Sequence, residues 1–132
     1  MIIEWNNHIF SPDLQRYPFH PQATYHPDLS QKPIDPLQNY LDHMERDGID
    51  RAVLVHPEPY GDNHQLILDC LKKEKERFRG TCLFYPQDPD APSKLEVLVA
   101  QVPQIVAIRF HAHRGKETYL NSFAEVGVRN LW

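Results

Sequence analysis

The chain has 132 residues, 41% of them hydrophobic and 24% charged, with a formal net charge of −4. That balance excludes a disordered polypeptide, supplies no basic stripe for nucleic acid, and leaves no apolar run long enough to span a bilayer, so neither is an expected partner. The N-terminus lacks the charged and apolar segments of a secretory signal, and a cytoplasmic location is expected.

Residues 2–9 alternate as a strand does, so Glu4, Asn6 and His8 are expected on one face and Ile3, Trp5 and Ile9 on the other. Residues 11–35 hold Pro12, Pro18, Pro21, Pro27 and Pro33, which forbid regular structure and predict a long loop over a site. Within it Tyr17, His20, Tyr25 and His26 are placed either to reach inward or to pack as a surface wrap.

Leu37, Tyr40, Leu41 and Met44 recur at helical spacing, and Gly48 closes that helix. Residues 52–56, Ala-Val-Leu-Val-His, form a short apolar run of the kind found in parallel strands covered on both faces. A second helix is predicted from Asp62 or Asn63 through Ile67, Cys70, Leu71 and Phe78, followed by a strand over 80–85 that Pro86 stops. Asp90 opens a third helix carrying Leu95, Leu98, Val99 and Val102, which Pro103 ends. A fourth strand follows over 105–110, and a last helix from Asn121 or Ser122 carries Phe123, Val126 and Leu131. Strand alternating with helix predicts an α/β fold with a parallel sheet. Cys70 and Cys82 lack metal-ligand spacing and are expected as reduced core thiols.

Over 106–113 the even positions are apolar and Arg109, His111 and His113 take the odd ones. Buried parallel strands are normally apolar on both sides, so this alternation points to a polar cleft. Ligand sites in parallel α/β proteins form at the carboxyl ends of strands. Those ends carry Asn6 and His8, then His56, then Tyr85, then His111 and His113. Neutral imidazole can ligate metal or move a proton near neutral pH.

The opening Ile2-Ile3-Glu4-Trp5-Asn6-Asn7-His8-Ile9-Phe10 resembles the first strand of the amidohydrolase-related family of TIM-barrel type, including its 2-pyrone-4,6-dicarboxylate lactonase group. Ser11-Pro12-Asp13, Arg16-Tyr17-Pro18, Gly48-Ile49-Asp50-Arg51-Ala52-Val53-Leu54-Val55, Tyr60-Gly61-Asp62-Asn63 and Ile108-Arg109-Phe110 extend the likeness along the chain. The resemblance implies one partial domain over 1–132, comprising the first four strands of a (β/α)8 barrel, with open edges that favour self-association. By the same resemblance, the histidines of the fifth and sixth strands and the late aspartate base would lie beyond Trp132.

The activity it implies is hydrolysis of a C–O or C–N bond in a small, carboxylated cyclic substrate such as a lactone. The strand-end placement and the resemblance together assign His8 and His111 to catalysis and Arg109, His113, Arg114, Tyr85 and His56 to substrate binding, the resemblance itself bearing on His8, Arg109 and Arg114. A divalent metal such as zinc would be held by His8 and position 6, where Asn6 stands in place of the family's histidine. The lactonase branch is thought to work without metal, with arginines and histidines holding substrate carboxylates. Against this stands a non-catalytic relative that at most binds a small anion, favoured by the changes at Glu4 and Asn6.

Overall fold

The computed structural model describes residues 1–111, 113–114, 117–118 and 120–132, the two short pairs for their backbone only. Four parallel strands, β1 (Ile3–Asn7), β2 (Arg51–Leu54), β3 (Phe78–Leu83) and β4 (Ile105–Arg109), lie side by side in sequence order. Helices α1 (Pro36–Asp47), α2 (Gln65–Lys73) and α3 (Ala91–Gln101) make the crossovers, as the expected βα repeat requires. β5 (His113–Arg114) pairs antiparallel with β6 (Glu117–Thr118), and α4 (Val126–Leu131) follows. Among the described residues no helix is long and apolar enough to cross a membrane.

α1 begins where the Asp35 carboxylate accepts the Gln38 amide at 3.0 Å and Pro36 occupies the first turn. It ends at Gly48, whose φ of 67° is the left-handed cap that glycine adopts without a Cβ penalty. α2 starts later than predicted: a 3-10 turn, Glu58–Tyr60, comes first, and Asn63 Oδ1 accepts the Gln65 amide at 3.1 Å. α2 also stops at Lys73, so Phe78 opens β3 instead of closing the helix. The last helix is likewise shorter than expected, leaving Phe123 exposed before it and burying Val128 and Leu131.

The core lies between the sheet and its helices. Leu54, Phe78 and Cys82 from the strands meet Met44 of α1 and Ile67, Cys70 and Leu71 of α2, all buried. Both thiols are free and buried, which raises each to about 12 by desolvation. At the amino end of the sheet, Arg77 donates to Glu45 (2.6 Å) and to the Ile49 and Asp50 carbonyls, tying the end of α1 to the start of β2. That end is built for cohesion.

β1 departs from the expected alternation. Asn6 adopts a φ of 78°, and the pairing with β2 shifts register between Trp5 and Asn7. The bulge breaks the row of Glu4, Asn6 and His8, because one extra residue re-aims every side chain after it. Glu4 instead accepts a hydrogen bond from the Tyr40 hydroxyl of α1, on the helix side of the sheet. Trp5, on the face expected to carry Ile3 and Ile9, is 65% exposed.

Candidate active site

The carboxyl ends of the strands gather His8, His56, Arg109 and His111 within reach of one another's charge. His8 follows the bulge, is exposed, and donates from Nδ1 to the Val55 carbonyl at 2.7 Å, which fixes the orientation of the ring. Arg109, the last residue of β4, donates from Nη1 to the His56 carbonyl at 2.9 Å. His111 is half-buried, and its Nε2 has no hydrogen-bond partner among the described residues.

His56 sits deeper than expected. Its ring is wholly buried, Nε2 donates to the Gly61 carbonyl at 2.8 Å, and its amide donates to Thr81 Oγ1 at 3.1 Å. Burial first, then the neighbouring His64, pushes its pKa down to about 3. His56 therefore meets the site through its carbonyl on Arg109, with the ring packed beneath. Burial, reinforced by Arg109 and His8, also lowers His111, so this imidazole is neutral at neutral pH. Burial likewise lowers His64, whose Nε2 lies 3.0 Å from the Leu83 main chain.

The long loop over 11–35 is fastened to the turn after β2. Ser11 N–H donates to the Tyr60 hydroxyl at 3.0 Å, His20 N–H donates to the Pro59 carbonyl at 2.7 Å, and the Phe19 ring lies 5.1 Å from that of Tyr60. Gly61 has a φ of 58°, and a Cβ there would stand 2.7 Å from the His20 ring. Of the loop residues placed either to reach inward or to pack as a wrap, Tyr17 bonds Asp69 of α2 at 2.9 Å, beside the Arg16–Asp69 ion pair. His26 stacks on Phe19, and the His20 ring lies 5.7 Å from that of Tyr85, which falls two residues beyond the end of β3 and not within the strand expected over 80–85. Tyr25 is within the electrostatic reach of Glu58 and Arg109. A hollow of about 210 Å³ beside β1 is lined by Asn7, His8, Phe10 and Tyr40.

The structure thus brings together His8, Arg109 and His111, with the His56 main chain behind them. The side chains of His113 and Arg114 lie outside the described residues. β4 ends at Arg109, so the alternation over 106–113 outruns the strand that it seemed to describe. Glu58 was missed; its signal was a lone carboxylate between Pro57 and Pro59, just past the end of β2.

The donors among the described residues do not by themselves make up a metal site. Among the described residues no three His, Cys, Asp or Glu side chains converge as a metal-holding group, and Asn6 is exposed on the bulge. Amide oxygen is in any case a weak substitute for imidazole on zinc.

Parallel βα units with histidine and arginine at their carboxyl ends define half of a (β/α)8 barrel of the enzyme type. The amidohydrolase family profile matches residues 6–132, and the chain belongs to that family. It is 34% identical over 73 residues to a 4-sulfomuconolactone hydrolase of Rhizobium radiobacter, a stretch covering 55% of this chain and 22% of that one. A second such hydrolase, from Hydrogenophaga intermedia, is 32% identical over 71 residues, covering 54% and 22%. In fold the chain is similar to a crystal structure described as a "probable 2-pyrone-4,6-dicarboxylic acid hydrolase" from Acinetobacter baumannii with citric acid bound. There the TM-score is 0.72 at 22% identity, covering 98% of this chain and 45% of that one. It is similar as well to a 5-carboxyvanillate decarboxylase from Sphingomonas paucimobilis, with a TM-score of 0.61 at 17% identity, covering 98% and 47%. The chain spans under half the length of these proteins, and one fold serves both chemistries, so the reaction must be argued from the site.

Proposed function

We propose that the chain contributes its strand-end residues to a hydrolase that opens a small, carboxylated cyclic ester. The observation that carries this reading is Arg109, held by the His56 carbonyl at the carboxyl end of a parallel sheet, with His111 within reach of the charge of Arg109 and His8. The likeness to lactone hydrolases supports it.

In this reading Arg109 takes a substrate carboxylate on the donors not engaged by His56. The neutral His111 ring, with His8 beside it, accepts a proton from a water as the water oxygen bonds to the lactone carbonyl carbon. The carbonyl π pair moves onto oxygen, where the cationic end of the site stabilises it. When the pair returns, the ring C–O bond breaks and the leaving oxygen takes the proton back. No step runs through a metal. Tyr85, His113 and Arg114 complete the proposed substrate shell. The paired absence of metal spacing and disulfide at Cys70 and Cys82 fits a reducing compartment, and we place the protein in the cytoplasm.

Titrating the chain with 2-pyrone-4,6-dicarboxylate by NMR tests the reading. Arg109→Ala should weaken binding at least about tenfold, the scale of one charge-assisted bidentate contact. Equal binding by the variant would remove Arg109 from the site.

A further inference from the structure

β2 ends at Leu54, where its pairing with β3 reaches Gly80. Two residues further on, the His56 amide donates to a side chain instead, the Thr81 hydroxyl of β3, at 3.1 Å. Thr81 is 3% exposed, and its branched Cβ limits the hydroxyl to few rotamers, so this acceptor is fixed in place.

The rest of residue 56 is held as firmly. Its ring Nε2 donates to the Gly61 carbonyl at 2.8 Å, and the following Pro57 restricts it to extended backbone. Its carbonyl accepts from Arg109 Nη1 at 2.9 Å. Because β3 lies between β2 and β4, the Arg109 side chain crosses the end of β3, where Leu83 pairs with Arg109, to reach that carbonyl. Thr81 and Arg109 thus meet one residue at its two ends, the first on its N–H and the second on its C=O.

We infer that Thr81 is a positioning residue for Arg109: its hydroxyl sets the tilt of His56, the His56 carbonyl sets where the guanidinium rests, and the remaining donors meet a ligand carboxylate in one orientation. This rests on the lactone-hydrolase reading above. A carboxylate accepts two parallel N–H bonds only from a guanidinium held in its plane, so a small rotation at residue 56 weakens the pair. A buried amide that loses its acceptor turns toward another, and Arg109 follows the carbonyl.

The test compares the full chain as wild type, Thr81→Val, Thr81→Cys and Thr81→Ser, following the Arg109 Nε–H resonance and titrating with 2-pyrone-4,6-dicarboxylate. Valine keeps the shape and removes the acceptor, so the resonance should shift, its exchange should speed, and binding should weaken about fivefold, the scale of one neutral hydrogen bond. Cysteine, a weak acceptor, should fall in between and keeps the test open if the valine variant does not fold; serine should restore most of the wild-type values. In an Arg109→Ala background Thr81→Val should change affinity no further, an outcome that a general loosening of the sheet would not give. An unmoved Arg109 resonance in the valine or cysteine variant, or the same fivefold loss in the Arg109→Ala background, overturns the inference. If wild type does not bind the pyrone while Thr81→Val still moves the resonance, the lactone reading falls and the positioning of Arg109 stands.

Discussion

The middle and the margins of the sheet are built to different rules. β2 and β3 pair without a register shift, and Leu54, Phe78 and Cys82 on them are almost wholly buried. The outer strands each carry a register shift, between Trp5 and Asn7 on β1 and opposite Gly80 and Thr81 on β4. They also expose apolar side chains, Trp5 at 65% and Val106 at 54%. Yet His8, Arg109 and His111 all follow from these irregular strands. Cohesion resides in the centre, and the candidate site is hung on the margins, where bulges can re-aim a side chain without cutting the core.

Three substitutions or conditions would break or sharpen that division. The largest effect is expected from Phe78→Ala, which empties a fully buried ring site between β2 and α1. About 3–5 kcal/mol should be lost in urea denaturation, and a loss near that of a surface change would move the centre of stability elsewhere.

Acid should weaken the fold next. His56 stays neutral in the native state with its pKa near 3 but protonates near 6.5 once released, so its contribution is whole above 6.5 and is lost as pH falls toward 3. Stability should fall by up to about 1.4 kcal/mol per pH unit for each such histidine. His56→Gln should flatten the profile by one proton's share; an unaltered slope would assign it to His64 and His111, which are lowered too.

The smallest expected change in stability, within about 0.5 kcal/mol, is that of Trp5→Ser at the margin. Because Trp5 belongs to an uncovered apolar surface, the variant should nevertheless reduce self-association measured by sedimentation. A monomer in both forms would show that the margin is not sticky.

Much of the central architecture was legible, because helix and strand periods repeat cleanly around Leu37–Met44, Ala52–Leu54 and Leu95–Leu98. The margins were not. Asparagine tolerates a left-handed φ, so Asn6 hides a bulge inside an alternation that looks unbroken. Phe78 fits helical spacing and a strand start equally well, and the charged run before it masks where α2 ends. The role of Tyr60 as the peg for the long loop had no local signature, since its partners Ser11 and Phe19 lie over forty residues away. The arginine and histidines of the candidate site were visible as residue types at strand ends. Their partners were not, because hydrogen bonds such as Arg109 to the His56 carbonyl depend on tertiary placement.

Gly61 and His20 occupy one another's space: the histidine ring fills the volume that a side chain at 61 would need. The fit runs one way. A side chain at 61 would meet both the ring and the Cβ of His20 at 2.7–2.8 Å, on a φ of 58° that strains every residue but glycine, so trimming position 20 to alanine would not admit it. Position 20 can shrink while 61 stays glycine, whereas 61 cannot grow while the loop keeps its seat on the turn.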